Sequence, residues 1–307
     1  MQRGEANLSM SIREVGYCLR GSVLEPGKTP RSLLFQPSLP LDKDPPRISC
    51  MMPTRGHIFP ARYAIESFLA QDYPNRELVV VCQTADSEVE AFLSALGDPR
   101  ISFFHAPDAK NVGEMRNVAV AKAKGALICT WDDDDLYPST RLGIQYRALE
   151  RGGANACFLS RIILWSPATA RLGISSHRAW ENSMLAERDV IPEYESRVRE
   201  EDTIAVRHIF DNATAVIVDS PQCLCYIRHG KNISDPRHFS QLYAAATARY
   251  EGDDYLRGVA DLSADIPTTE FALRFFEELR RGRLKAAPQP VPRSEKAAAL
   301  AAAKVRS

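Results

Sequence analysis

The residues whose types and spacing most directly suggest chemistry are four adjacent aspartates, Asp132, Asp133, Asp134 and Asp135. They follow residues 126–131, an apolar run that predicts a buried strand. Carboxylates this close repel one another and raise one another's pKa values unless a positive charge lies among them. A hard divalent cation binds such oxygens and often completes its shell with substrate phosphates. The run therefore predicts a metal site, with a solvated acidic turn as the alternative.

Three other groups of polar residues lie where a predicted strand ends or a predicted helix begins. Residues 52–55 end the first strand of the main pattern, residues 111–119 open a helix, and residues 199–203 open a later helix. In this order, and together with the aspartates, they resemble the motifs of family 2 glycosyltransferases of the GT-A fold. The resemblance covers residues 47–234 and rests on the combination, since a D-x-D sequence alone occurs by chance in many proteins.

The family's D-x-D element falls on the first three aspartates. The resemblance implies that Asp132 and Asp134 hold Mg²⁺ or Mn²⁺ against the diphosphate of a nucleotide-sugar donor, with Asp134 in direct contact. The metal would act as a Lewis acid on the leaving diphosphate. Some GT-A enzymes add a histidine after the E-D helix, and His229 is placed for that role. The alternative is that His229 is an exposed loop residue without this role.

Arg116 is expected to bind the donor nucleotide, because a guanidinium suits a phosphate or the carbonyl edge of a pyrimidine. The alternative is a surface arginine paired with Glu114 or Asp108. Gly113 would permit a tight turn or a close approach of the nucleotide. Family members usually carry acidic residues that bind uracil at the position where this chain has Gln83. The amide of Gln83 can donate or accept a hydrogen bond, so the resemblance implies UDP less directly than it implies a nucleotide. The other residues expected around the nucleotide are Pro53, Thr54, Arg55, Asn111, Asp133, Arg228 and Lys231.

Asp202 is expected to be the general base. The family's E-D element falls on Glu201 and Asp202, at the start of a predicted helix. The resemblance implies that Asp202 takes the proton of the acceptor hydroxyl as it attacks the anomeric carbon, while Glu201 binds the acceptor or orients the site. This displacement inverts the anomeric centre without a covalent intermediate. The local alternative is that acidic residues simply favour a helix N-terminus. Trp180 is either part of an acceptor wall or a core tryptophan.

From residue 47 the pattern alternates between strands and helices, which predicts a parallel sheet covered on both faces. The expected fold is α/β, a GT-A (Rossmann-like) domain with a mostly parallel central sheet, a smaller mixed sheet and C-terminal helices. Residues 156–165 and 171–176 are predicted as two strands of a hairpin or mixed sheet. The predicted divisions are an irregular N-terminal arm, the GT-A domain, a helical extension and a disordered tail, at residues 1–46, 47–240, 241–285 and 286–307.

The last predicted helix, residues 269–281, carries one apolar stripe that must be covered by something. The cover is the domain itself, a second subunit in a homo-oligomer, or a membrane that holds a lipid-linked acceptor. The polar face of this helix mixes acidic and basic residues, which favours packing on the domain.

Bulk composition excludes several classes. Lysine plus arginine and aspartate plus glutamate each number 39 in 307 residues, so net charge gives no indication of nucleic acid. No apolar run approaches a transmembrane segment, and the seven cysteines are scattered, which predicts a cytoplasmic protein with reduced thiols. The acceptor is left open between a saccharide, a lipid-linked glycan, a small molecule and a protein.

Two other functions are alternatives to glycosyl transfer. A nucleotidyltransferase also uses acidic metal ligands on an α/β sheet, but it needs a glycine- and lysine-rich phosphate loop that residues 52–57 do not supply. A non-catalytic nucleotide-sugar or glycan-binding module would have no need to keep both Asp134 and Asp202.

Overall fold

The computed structural model describes residues 18–85, 87–196, 201–230, 232 and 236–284. Its strands are β1 (Leu19–Leu24), β2 (Arg31–Phe35), β3 (Ile48–Thr54), β4 (Arg76–Cys82), β5 (Ile101–His105), β6 (Leu127–Thr130), β7 (Ala156–Leu159), β8 (Ile163–Ser166), β9 (Arg171–Ile174), β10 (Trp180–Glu187), β11 (Ala215–Val218), β12 (Cys225–Ile227) and β13 (Ala248–Tyr250). Its helices are α1 (Ile58–Leu69), α2 (Glu88–Leu96), α3 (Val112–Lys122), α4 (Arg141–Gly152), α5 (Glu201–Asn212), α6 (Pro236–Ala244), α7 (Asp253–Leu262) and α8 (Thr268–Arg280).

Nine strands form one large sheet in the order β2–β1–β11–β7–β10–β6–β3–β4–β5. Neighbours are parallel from β6 through β3 and β4 to β5, and β7 is parallel to β11. Strand β10 lies antiparallel between β6 and β7, and the hairpin β1–β2 adds antiparallel to β11. The predicted α/β class is confirmed, and the sheet is mixed because of these antiparallel insertions.

Helices cover both faces of this sheet because its central strands are apolar on both. Every residue of β3 and β4 is buried. One face packs on α1, α2 and α4 through residues such as Phe68 and Leu142. The other packs on α3 and α5 through residues such as Met115 and Ile209. Each large apolar side chain buried in this way contributes roughly 1.5–3 kcal/mol.

The parallel strands β3, β4 and β6 all end at one edge of the sheet, which we call the carboxyl edge. The register shows this directly, since Thr54 lies beside Cys82 and Met51 beside Thr130. Residues that follow these strands therefore come together, although they are far apart in sequence. Ligands of open α/β sheets bind at this kind of edge.

The second sheet is small, in the order β12–β8–β9–β13, and α7 and α8 pack on it. Trp165 from β8 and Phe271 and Phe275 from α8 are all buried there. The predicted smaller mixed sheet is confirmed. The packing of the last helix on the domain is also confirmed, and Leu284, just beyond that helix, is buried with it.

The prediction of an irregular arm over residues 1–46 is wrong for residues 19–35. This stretch forms β1 and β2, which extend the large sheet next to β11. Leu33 and Phe35 alternate with exposed neighbours in β2, as expected for a strand with one buried face. The alternation covers only a few residues, which is why it gives a weak periodic signal.

Residues 156–165, predicted as one strand, form two strands that belong to different sheets. The chain leaves the large sheet after Leu159 and enters the second sheet at Ile163. Strand β10 was not predicted at all, although it joins the two parts of the large sheet. The domain boundaries stay predictions, and the predicted tail, residues 286–307, lies outside the described residues. Among the described helices, none is long and apolar enough to cross a membrane.

Candidate active site at the carboxyl edge

Buried groups beneath the acidic run hold it in place. Trp131 is fully buried, and its Nε1 donates to the carbonyl of Ala64 over 3.0 Å. Arg141 is also fully buried, donates from Nη2 to the carbonyl of Thr130 over 2.9 Å, and lies over the ring of Tyr137 at 4.5 Å from the centroid. A permanent positive charge therefore lies under the four carboxylates.

Asp135 has a structural role, unlike its neighbours. Its side chain is buried and accepts hydrogen bonds from Asn182 Nδ2 at 3.2 Å and from the backbone N–H of Ile227 at 3.3 Å. Burial, with the charges of Asp134 and Asp132, raises the pKa of Asp135 well above its usual value. This carboxyl connects the acidic run to β10 and β12, while the helix that follows has Thr140 as its N-cap residue.

Asp133 is tied to the end of β3. Thr54 Oγ1 donates to its Oδ2, and the N–H of Gly56 donates to Thr54 Oγ1 over 3.0 Å. Gly56 has a φ of 84°, and a Cβ there would lie 2.6 Å from Ser87 Cβ, so this turn requires glycine. Burial and the charge of Asp134 raise the pKa of Asp133 to about 8, although the Thr54 hydrogen bond lowers it.

Arg116 joins two motifs that are far apart in sequence. Its Nη2 lies 3.4 Å from Asp132 Oδ1, and its Nη1 lies 3.7 Å from Asp202 Oδ2. The guanidinium is almost fully buried, while both carboxylates are partly exposed. Burial raises the pKa of Asp132 to about 6, with Arg116 opposing the rise and Asp134 and Asp202 adding to it. The structure thus brings together the expected metal ligand, nucleotide-binding arginine and base.

Asp134 meets the loop after β12. His229 Nε2 lies 2.9 Å from Asp134 Oδ2, and Asn232 Nδ2 donates to the same oxygen over 3.2 Å. Asn232 Oδ1 accepts from Arg228 Nη1 at 3.1 Å and from the N–H of His229 at 3.0 Å. Arg228 is mostly buried, and Lys231, the other expected diphosphate contact here, lies outside the described residues.

These donor atoms fit Mg²⁺ or Mn²⁺ if the substrate completes the shell. No three His, Cys, Asp or Glu side chains in the described part of the chain converge to hold a metal by themselves. Asp132 and Asp134 keep exposed fractions of 21% and 25%. Nδ1 of the buried His229 has no hydrogen-bond partner among the described residues. One or two carboxylates with phosphate and water are a common Mg²⁺ shell, so the residues fit such an ion.

The expected nucleotide contacts differ in how accessible they are. Pro53 and Thr54 are buried in β3, and only Arg55 after them is exposed. Gln83, directly after β4, is partly exposed, and its Nε2 donates to the carbonyl of Ala109 over 2.7 Å. This bond orients the amide of Gln83 and leaves its oxygen as the atom that can accept from a ligand.

Asn111 and Gly113 lie where predicted, at the start of α3, but they do different work. Asn111 is the N-cap residue: its side chain accepts from the N–H of Glu114 at 3.0 Å and donates to Ser196 Oγ at 3.0 Å. Gly113 lies inside the first helical turn, so of its two expected roles the tight turn is wrong and a close approach of the nucleotide stays a prediction. Glu201 begins α5, and its side chain is not among the described groups.

Three residues of this region were not expected from the sequence as site residues. Asn182 and Asn232 bond Asp135 and Asp134, and Tyr194 lies under Arg116, 5.6 Å from guanidinium carbon to ring centroid. Of these three residues, only Asn232 could have been found from the sequence, through its H-x-x-N spacing from His229. Trp180 is buried, with Arg178 over its ring at 3.9 Å, which favours the core reading of that tryptophan.

Comparison with known proteins gives a family match for the part of the chain that carries most of this site. Residues 49–200 match the family model described as Glycosyl transferase family 2. The chain is 38% identical over 104 residues to WcaA of Escherichia coli (strain K12), named as a putative colanic acid biosynthesis glycosyl transferase; the match covers 33% of this chain and 37% of WcaA. It is 34% identical over 91 residues to the succinoglycan biosynthesis protein ExoO of Rhizobium meliloti (strain 1021), covering 30% of this chain and 25% of ExoO. The chain therefore matches well under half the length of these relatives.

Solved structures with a similar arrangement are distant in sequence. S. aureus TarS 1-349 in complex with UDP-GlcNAc is 14% identical, with a TM-score of 0.47 over 75% of this chain and 71% of that one. The mannosyltransferase PcManGT from Pyrobaculum calidifontis, in complex with GDP-Man and Mn2+, is 15% identical, with a TM-score of 0.48 over 88% and 78%. On the family match, residues 49–200 of this chain belong to glycosyltransferase family 2.

Proposed function

We propose that this protein transfers a sugar from a nucleotide-sugar donor to an acceptor hydroxyl, with inversion at the anomeric carbon. The observation that carries the proposal is the position of Arg116, within 3.4 Å of Asp132 and 3.7 Å of Asp202. Direct displacement needs the groups that bind the leaving diphosphate and the base in one site, and the contacts of Arg116 bring the motifs for these two roles together. This arrangement supports transfer over simple binding.

Asp132 and Asp134 would hold the metal, with His229 as a third donor. When bound, the ion supplies a Lewis acid for the developing charge of the diphosphate. Asn232 restricts the rotation of the Asp134 carboxylate by donating to Oδ2, so this oxygen keeps its direction. Arg116 lies beside Asp132 and carries a permanent positive charge, and its forked N–H groups suit a phosphate oxygen.

Asp202 would accept the proton of the acceptor hydroxyl. Its carboxylate is partly exposed, with a side-chain exposure of 32%, so an acceptor can reach it. It lies at the second residue of α5, at the positive end of the helix dipole. In our proposal it lies on the side of the anomeric carbon opposite the leaving diphosphate, as inversion by direct displacement requires.

The donor base would be uracil, read by Gln83. The amide nitrogen of Gln83 is already bonded to Ala109, so its oxygen is the group that faces a base. Uracil presents an N–H at ring position 3, whereas cytosine presents a lone pair there. A UDP-sugar is therefore the donor that this amide favours, and CDP-sugars are disfavoured.

Donor hydrolysis tests the proposal without knowledge of the acceptor. The protein is incubated with a panel of nucleotide sugars and Mn²⁺, and release of nucleoside diphosphate is measured. We expect slow hydrolysis of one UDP-sugar, lost in EDTA and in Asp134→Ala. The control Asp189→Ala changes an exposed aspartate near the opposite edge of the sheet. Release that is absent for every donor, or unchanged in Asp134→Ala, would contradict the proposal.

A further inference from the structure

The segment of residues 194–196 is a non-regular stretch that contacts helix α3. Tyr194 is buried in the core that α3 and α5 share, and Asp202 follows eight positions later in the chain. The backbone groups of a buried residue without regular structure need partners from elsewhere. Here the partners come from the motif at the start of α3.

Asn117 provides both partners for one residue. Its Nδ2 donates to the carbonyl of Tyr194 over 2.8 Å, and the N–H of Tyr194 donates to its Oδ1 over 2.8 Å. A carboxamide offers a donor and an acceptor side by side, as a peptide group does. An aspartate at position 117 would lack the donor, and an alanine would lack both groups.

The same segment is held at two further points by α3. The guanidinium of Arg116 lies 5.6 Å from the ring centroid of Tyr194, and Asn111 Nδ2 donates to Ser196 Oγ over 3.0 Å. Ser196 Oγ also donates to Glu114. The N-cap and first two turns of α3 thus contact both Tyr194 and Ser196.

Arg116 connects this contact to the proposed chemistry. The guanidinium that lies over Tyr194 is the one that reaches Asp132 and Asp202. Tyr194 lies against Arg116, so a shift of Tyr194 would change the support of this guanidinium. We propose that Asn117 is a positioning residue: by fixing the backbone of Tyr194 on α3, it keeps Arg116 in place and, through the contact between Arg116 and Asp202, the orientation of the carboxylate that accepts the proton. The inference rests on the proposed role of Asp202.

Asn155 provides a matched control at the opposite edge of the sheet. It also uses its whole carboxamide, accepting from the N–H of Thr214 at 3.1 Å and donating to Glu187 Oε2 over 2.9 Å. Asn155→Ala therefore removes the same kind and number of bonds as Asn117→Ala, at a place where no site residue is in contact. The two variants should lose similar stability.

Kinetics should separate the two variants. In the full-length protein, Asn117→Ala should lower turnover up to about a hundred-fold, the loss expected for a misplacement of about 1 Å. Its donor KM and its affinity for UDP with Mn²⁺ should change much less than turnover, by less than about ten-fold, because the other donor contacts, Asp132, Asp134 and Gln83, are intact. Asn155→Ala should keep wild-type turnover. Asn117→Gln keeps the carboxamide one methylene further out and provides a milder variant if alanine prevents folding.

Hydrogen exchange supplies a readout that does not depend on activity. Exchange of the Tyr194 amide should accelerate in Asn117→Ala, and exchange of the Thr214 amide in Asn155→Ala. Faster exchange at Tyr194 with unchanged turnover would overturn the proposal, as would a loss of donor affinity as large as the loss of turnover. Unchanged exchange would remove the structural premise. A wild-type protein that neither transfers nor hydrolyses any donor would overturn the proposed function itself, and this inference with it.

Discussion

The large sheet has two halves that are assembled differently. Strands β3, β4, β5 and β6 follow one another in the chain, each joined to the next by a helix, and they pair in parallel; we call them the donor half. Strands β10, β7, β11, β1 and β2 come from distant segments and pair mostly antiparallel; we call them the acceptor half. The donor half ends in the residues proposed to bind the nucleotide and metal, while Asp202 lies on α5, which packs beside the acceptor half.

The comparison shows two ways of placing a functional side chain. In the donor half a residue is placed because its strand ends there, as with Asp132 after β6 and Gln83 after β4. In the acceptor half a residue is placed by contacts from elsewhere, as when Thr203 Oγ1 donates to Glu181 over 3.4 Å. We therefore expect substitutions of residues at the strand ends of the donor half to change binding, and substitutions around α5 or at its contacts with α3 to change turnover.

The largest expected effect is that of Asp202→Asn. The substitution keeps the size of the side chain and removes its basic lone pair, so turnover should fall roughly 10²–10⁴-fold. Binding of UDP with Mn²⁺, measured by calorimetry, should be nearly unchanged. The control is Asp211→Asn, an exposed aspartate of the same helix. Retention of more than about a tenth of wild-type turnover would move the base elsewhere.

Phe271→Ala tests how much the packing of α8 on the second sheet stabilises the protein. Phe271 is fully buried against Phe59, Tyr63 and Trp165, so its truncation should cost about 3–5 kcal/mol of unfolding free energy. Leu273→Ala, on the exposed side of the same helix, should change stability by less than about 0.5 kcal/mol. Chemical denaturation measures both. Equal stabilities would show that α8 does not depend on this packing.

Metal removal tests the donor half. When a residue that hydrogen-bonds to a metal ligand is removed, metal affinity typically falls about 10–100-fold. Removal of a residue that binds the metal directly should lower the affinity at least as much. Asp134→Ala or EDTA should therefore weaken UDP binding by about this factor, as measured by calorimetry. Turnover at saturating donor is the second measurement. If affinity for UDP is the same with and without chelator, the carboxylates of the donor half do not bind through a metal.

Gln83→Ala should have a smaller effect on the same half. It removes one acceptor from the proposed base-reading position, which is worth roughly 0.5–1.5 kcal/mol, or about a two- to ten-fold loss of UDP affinity. The ratio of UDP to CDP affinity should fall with it. Thr84→Ala, at the exposed next position, is the control. A ratio that does not change would show that the base is read by another residue.

Truncation after Leu284 should have the smallest effect. Residues 285–307 carry too little apolar surface to offset the entropy of ordering them. Because Leu284 is buried with α8, the truncated protein must keep this residue. Donor hydrolysis and the melting temperature should match those of the full chain. A lower melting temperature would show that the tail contributes to the fold.

Sequence alone was sufficient for the donor half because its strands are buried on both faces. Such strands are continuous apolar runs, as in residues 77–82, and their ends give the places of the motifs. Strand β10 contains Glu181, Asn182 and Ser183 in succession, which breaks any alternation. Their partners, such as Asp135 for Asn182, lie far away in sequence. A pattern within the strand cannot report such partners.

The candidate site was predictable as a set of motifs but not as a geometry. The order of the motifs placed Asp132, Arg116 and Asp202 in one region, and the structure adds that a single guanidinium lies between the two carboxylates. The separation of Asp135 from the other three aspartates depends on contacts with β10 and β12. Tyr194 could not be recognised from the sequence, because its role depends on contacts between a non-regular segment and α3.

The pairing of β1 with β11 also has a consequence for the order in which the protein is made. Gly21 faces Val218 across this pair, so the first strands leave the ribosome long before their neighbour exists. At about 5–20 residues per second, the delay is on the order of tens of seconds. During that time the hairpin β1–β2 has an unpaired edge and apolar side chains, such as Val23 and Phe35, with no core to enter. The donor half can form in the meantime, since its contacts are closer in the chain. We expect nascent chains arrested before β11 to have a protease-resistant donor half and a protease-sensitive N-terminal hairpin.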